Sequence, residues 1–274
     1  MKQGYWVIRT YESGGIGEKT KFWVEGTRPT KAGRKAKTAI KKQEQNEYSA
    51  VKRFAREINE NFAPGDLLVG LDYTEKALAS ILAAAEGAED DEAGRNAARA
   101  AAVHDRNLFL RRLKRKCDKE GVELKYLGVT SDMDGDTGET VRLHHHLIVP
   151  SDCAELIKDC WHSGTVDIER LDVQDDYLPI AEYLLNQVRR VPNEQKYTSS
   201  RNLVRPVPKD RTALNDSELR LPKGAELLFR EGYKPGMPQY IRYIVPEKRY
   251  AHHKKLRESR KRTADDLKGE FEHG

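Results

Sequence analysis

The chain has 274 residues, enough to bury a sizeable core in one large domain or two small ones, and 34% of them are charged. Lys and Arg (49) slightly exceed Asp and Glu (44), with cations crowded at 28–56 and 248–262 and acids at 86–92, a distribution that fits a polyanionic partner. No apolar run approaches the ~18 residues of a membrane span, the N-terminus lacks an apolar signal core, and Cys117, Cys153 and Cys160 form no Cys-x-x-Cys pair, which excludes a zinc module and fits a reduced, cytosolic chain.

In chain order, Tyr5–Ile8 and Phe22–Val24 predict two short strands joined by Ser13-Gly14-Gly15-Ile16-Gly17. That loop, with Glu18-Lys19-Thr20, brushes against a phosphate-binding loop. The motif needs Gly before the Lys, and the Glu18 carboxylate would repel a triphosphate. Residues 28–46 are polar and basic without apolar periodicity and read as an arm. Val51, Phe54, Ile58 and Phe62 recur at helical steps and predict a helix over 47–62, stopped by Ala63-Pro64-Gly65. Leu67–Tyr73 reads as a buried strand and Thr74–Ala85 as a helix. A long helix spans Asn96–Lys119, with Val103, Leu110, Leu113 and Cys117 on one face and Arg106, Arg111, Arg112, Lys114, Arg115 and Lys116 elsewhere.

Val122–Thr130 is a predicted strand, followed by the turn-rich Asp132-Met133-Asp134-Gly135-Asp136-Thr137-Gly138. Its alternating acids resemble a calcium loop, but the glycines fall at 135 and 138 and the flanks are strands, not helices. Val141–Val149 is the most informative strand. Its alternation places Val141, Leu143, His145, Leu147 and Val149 on one face and Arg142, His144, His146 and Ile148 on the other. The first face is apolar but for one His and predicts a core contact. The second sets two imidazoles side by side, a geometry for holding a divalent cation through neutral nitrogens. Beyond it, Ser151 is expected to cap a helix to Trp161, 164–173 to form a short strand, and 175–187 a helix with Ile180, Leu184 and Val188 inward and Tyr183 beside them. Residues 188–246 read as Pro-rich and irregular with short apolar pieces at 226–229 and 240–245, and 247–274 as a basic tail.

Three blocks in this order carry a resemblance: Leu67–Tyr73 ending in Asp-Tyr-Thr, Arg142-Leu143-His144-His145-His146-Leu147-Ile148, and Ala181-Glu182-Tyr183. Together they resemble rolling-circle replication initiators of the HUH endonuclease superfamily, in particular the small replication-associated proteins of phages and plasmids. The resemblance runs from the basic arm near residue 33 to about Pro208. It implies an α+β fold, a central antiparallel β-sheet with helices packed mainly on one face and the metal-binding His pair on a central strand. It divides the chain into an N-terminal hairpin and basic arm (1–46), a nuclease domain (47–190), an irregular extension (191–246) and a basic C-terminal tail (247–274).

The activity it implies is metal-dependent nicking and joining of single-stranded DNA at a replication origin, in the bacterial cytoplasm, with host helicase and polymerase as partners. His144 and His146 would hold Mn2+ or Mg2+, the imidazoles favouring manganese. Tyr183 would attack the phosphate and become linked to its 5′ side. Asp132 is the candidate third ligand, since Ser131 stands where relatives carry an acid, and Asp72 is a second candidate. Asp132 would need a bulge to reach the metal. Relatives often carry Lys three residues after the Tyr, where this chain has Asn186. Arg142, Asn186, Lys35 and Lys37 are the candidate DNA contacts. Rival readings are an HUH transposase or relaxase, and a cleavage-deficient origin-binding protein.

Overall fold

The computed structural model describes residues 4–26, 42–84, 92–189, 194–213, 218–232 and 236–271, and side chains except at 42–48, 84 and 261–271. The fold is α+β, with two antiparallel five-stranded sheets. The chain divides into two compact units, one of Met1–Glu60, Asp175–Leu178 and Val204–Lys254, the other of Asn61–Gln174, Pro179–Leu203 and Lys255–Gly274.

In the first unit, β1 (Gly4–Ser13) and β2 (Ile16–Glu25) pair along their whole length. The strands are longer than the apolar pieces suggested, and the loop shrinks to Gly14-Gly15. Both glycines have positive φ, 53° and 89°, the backbone that a two-residue hairpin turn with the right twist requires. A Cβ on Gly14 would also lie 1.9 Å from the Asn59 carbonyl oxygen. The segment read as irregular supplies the rest of the sheet: β8 (Lys209–Thr212), β9 (Glu226–Glu231) and β10 (Gln239–Ile244), in the order β8-β1-β2-β10-β9.

Helix α1 (Lys42–Asn61) starts five residues or so before the expected 47, so part of the presumed arm is helical. Its Arg56 grips Glu18 through two bonds of 2.8 and 2.7 Å. The buried Arg242 donates to Glu18 at 2.6 Å and to Asp176 at 2.7 Å. The residue that disqualifies the phosphate loop is therefore the centre of a buried ion network. Burial pushes both carboxyls up, but the Arg56 hydrogen bonds at Glu18 and the Arg242 bonds at Asp176 outweigh it and hold both below the usual carboxylate range.

The second unit holds β3 (Leu67–Asp72), β4 (Leu127–Met133), β5 (Thr140–Val149), β6 (Val166–Arg170) and β7 (Thr198–Ser199), in the order β6-β3-β5-β4-β7. The informative strand is the central one, as its apolar back requires. Leu143, His145, Leu147 and Val149 face a core shared with α2 (Glu75–Ala84), α3 (Glu92–Lys119) and α4 (Ala154–Cys160). Full burial of Phe109, Leu113 and Leu147 is worth roughly 1.5–3 kcal/mol each. The buried stripe of α3 runs through Ala98, Ala102, Phe109, Leu113 and Cys117 and includes Arg99 and Arg106; Arg106 is thus interior, not part of the charged face. Ser151 opens a 3-10 turn instead of capping a helix, and its hydroxyl donates to Asp152 at 3.4 Å. The tail is helical as α6 (Pro246–Phe271), and its Arg260 grips Asp66 in the same unit.

Candidate functional site

The site lies on the polar face of β5. Directly paired residues of antiparallel strands share a face. Asp72 of β3 and Ser131 of β4 flank His144, while Gly70 and Val129 flank His146. The two imidazoles converge. His144 Nε2 and His146 Nε2 are 3.1 Å apart, and the rings meet edge to face at 4.8 Å. His144 Nδ1 lies 2.8 Å from the Arg142 carbonyl oxygen. A carbonyl only accepts, so Nδ1 carries a proton. Burial, reinforced by His144, lowers the His146 pKa to about 4, so this ring is neutral at pH 7.

A neutral ring is the state that a metal ligand needs. Two nitrogens bound to one ion at right angles, each at about 2.1 Å, lie about 3 Å apart, which the observed spacing matches. The pair therefore fits two cis positions of a divalent ion. Among the described residues no group of three His, Cys, Asp or Glu is close enough to form a full ligand set. Asp72 shares the His144 position on the neighbouring strand and is exposed.

Asp132 is placed differently from the expectation. The pairing of β4 with β5 is indeed irregular between Ser131 and Met133, because the Asp132 and Met133 amides both donate to the Gln187 carbonyl at 3.2 Å. The irregularity aims the carboxylate at arginines. Oδ1 accepts from Arg99 Nη1 at 3.2 Å and from the Arg189 amide at 3.0 Å, and Oδ2 accepts from Arg189 Nε at 3.1 Å. Asp132 is an internal brace with both oxygens engaged.

Helix α5 (Leu178–Asn186) buries Ala181, Leu184 and Leu185, with Ile180 half-buried. Tyr183 stands off that stripe, 57% exposed, with its ring centroid 6.2 Å from that of His146. The nucleophile candidate and the imidazole pair therefore meet on one surface. Gln187, one helical turn on, was not singled out by sequence although its spacing from Tyr183 is the signal. Its side-chain nitrogen donates to the Tyr183 carbonyl at 3.3 Å. Asn186 is exposed, next to Gly135 in the hairpin between β4 and β5. Arg142 is exposed and donates to the Tyr73 carbonyl. Lys35 and Lys37 lie outside the described residues.

His145 points the other way, into the core. Its Nε2 is 2.7 Å from the Tyr73 hydroxyl and its Nδ1 3.0 Å from Thr130 Oγ1. Arg106 can only donate, and it does so to Thr130 at 2.8 Å. The Tyr73 hydroxyl also lies 3.4 Å from the Ala102 carbonyl oxygen. Burial, reinforced by Arg106, pushes the His145 pKa well below its ordinary value. Among the described residues, no helix is long and apolar enough to cross a membrane. Comparison with protein-family models, with curated proteins and with solved structures found no match to this chain.

Proposed function

We propose that the second unit is an HUH-like nuclease that nicks and rejoins single-stranded DNA to start rolling-circle replication. The observation that carries this reading is the meeting of the His144–His146 pair with the exposed Tyr183 on one face of the sheet. His144 and His146 would hold Mn2+ or Mg2+, with Asp72 as the third ligand. The bound ion would supply Lewis-acid polarisation of the scissile phosphate. The chain does the rest. Gln187 donates to the Tyr183 carbonyl and its own backbone carbonyl takes the Asp132 and Met133 amides of β4, which ties the Tyr183 turn to the sheet that carries the pair. The Tyr183 oxygen attacks phosphorus, its proton passing to solvent, and an oxygen–phosphorus bond to the protein forms. The bond from phosphorus to the 3′ oxygen breaks, and that oxygen takes a proton to become the primer hydroxyl. Rejoining reverses both steps. Host helicase and polymerase would extend the primer.

A second reading, an origin-binding protein that has lost cleavage, is favoured by the engagement of Asp132 with Arg99 and Arg189. One experiment separates the two. The chain is incubated with single-stranded origin DNA and Mn2+ and resolved on a denaturing gel. A covalent adduct that disappears in Tyr183→Phe is expected. No adduct from wild type with either metal removes the nuclease reading, and an adduct surviving in Tyr183→Phe removes the nucleophile assignment.

A further inference from the structure

An open groove of about 1180 Å³ lies in the second unit, between α3 and the segments at Tyr126 and Arg201. Its floor is apolar: Leu108 is 36% exposed there, Tyr126 is half-buried, and Leu110 and Leu124 back them. Two bonds fix the floor, from the Ser200 amide to the Tyr126 carbonyl at 2.9 Å and from the Tyr126 amide to Ser200 Oγ at 3.1 Å. The rim is cationic. Leu108, Arg111 and Arg115 fall at three- and four-residue steps and so share one face of α3.

The side chains of Arg111, Arg115 and Arg201 are exposed and make no ion pair or hydrogen bond with another described residue. The other cations on the groove are engaged, Arg112 with the Cys160 carbonyl at 3.3 Å and Lys114 with Asp118. Among the described residues, no Asp or Glu lines the groove. The nearby Glu123 already takes Asn202 at 3.0 Å and Lys125 at 3.3 Å.

We infer that this groove is a second binding track for single-stranded DNA, with bases against Leu108 and Tyr126 and phosphates on Arg111, Arg115 and Arg201. Three guanidinium groups that no described carboxylate pairs, the nearby Asp118 and Glu123 being taken by other partners, call for a polyanion. The apolar floor decides which kind. A duplex presents phosphates and sugars outward and has no use for an apolar floor, whereas a single strand offers an apolar face beside every phosphate. The inference rests on the single-strand reading of the function, because a strand held here would be the flank of the one being nicked. It assigns no part in the chemistry to the arginines.

The test is binding of fluorescent oligothymidylate to the full chain in EDTA, read by anisotropy across a salt series, for wild type and for Arg111→Ala/Arg115→Ala/Arg201→Ala. Each phosphate neutralised on a single strand adds about 0.7 to the steepness of log K against log salt, so the triple variant should lose about 2 from that slope and bind about a hundredfold more weakly at ~0.1 M salt. The three side chains are exposed, so the thermal midpoint should not move; a lowered midpoint would be met by repeating the measurement with Arg→Gln variants. Unchanged affinity and slope overturn the inference, as does tighter binding of a duplex of the same length, or equal competition by polyglutamate. Adduct formation is scored separately with Mn2+. Arginine-dependent binding without any adduct upholds the groove and removes the nicking reading. An adduct with arginine-independent binding does the reverse.

Discussion

Replacing each histidine of the β5 triplet in turn should separate structure from chemistry. His145 is fully buried and makes bonds of 2.7 and 3.0 Å to Tyr73 and Thr130. In His145→Ala each hydroxyl keeps one partner, the Ala102 carbonyl for Tyr73 and Arg106 for Thr130. The loss is then two net hydrogen bonds, about 2 kcal/mol, instead of two orphaned groups. The cavity left by the ring adds about 2 kcal/mol. The expected total is about 4 kcal/mol, a large part of the margin of a typical domain. His146→Ala removes a ring on the open face and should cost below about 1 kcal/mol. Urea melts measure the first quantity, and Mn2+ titration by calorimetry the second. His145→Ala should be unstable but bind Mn2+ with wild-type affinity where folded, and His146→Ala should be stable and lose the metal. A stable His145→Ala with weakened Mn2+ binding would refute the sorting of the imidazoles between faces.

Asp72→Asn should weaken Mn2+ binding by about tenfold or more, since loss of an outer-shell partner alone reaches that scale, with little change in stability. Asp132→Asn should instead cost about 3 kcal/mol in a urea melt by leaving Arg99 short of its buried counter-ion, with metal affinity unchanged in the folded protein. Arg242→Met leaves Glu18 without one of its two arginines and Asp176 without its counter-ion, and should cost about 3–5 kcal/mol at pH 7. Because both carboxyls sit below their ordinary range, their contribution is complete above about pH 4.5 and is lost as pH falls through the lowered values; the acid-unfolding curve of Arg242→Met should therefore be shallower than that of wild type. Gly14→Ala sets a Cβ against the Asn59 carbonyl at positive φ and should lower stability by more than about 1 kcal/mol, read as a fall in thermal midpoint.

The elements nearest the site were legible because local rules governed them. Strand β5 alternates cleanly, since one face is buried and a shift of one residue would reverse every side chain. Helix α5 shows its stripe for a similar reason, and Tyr183 follows from lying off it. The first sheet was not legible beyond its hairpin. Strand β8 is Lys-Asp-Arg-Thr with every residue exposed, and it pairs with β1 across some two hundred residues, so neither composition nor neighbouring turns mark it. Strand β9 is exposed almost throughout and likewise has no buried face to announce it.

Buried charge concealed the rest. Arg99, Arg106, Arg242 and Glu18 read as surface by any hydropathy count, yet all are interior. A finer signal was present: Arg99 and Arg106 are seven residues apart, two helical turns, on the stripe that also carries Ala102, Phe109 and Leu113. An arginine on a buried stripe needs an internal acceptor, and the two find Asp132 and Thr130 on the same strand, β4. That strand is also where Gln187 takes the Asp132 and Met133 amides. The position of α5, and with it Tyr183, is thus fixed to the sheet through the residue once assigned to the metal. Asp132 matters to the site by holding the two halves in register, which is why its loss should appear as stability while the loss of Asp72 should appear as affinity.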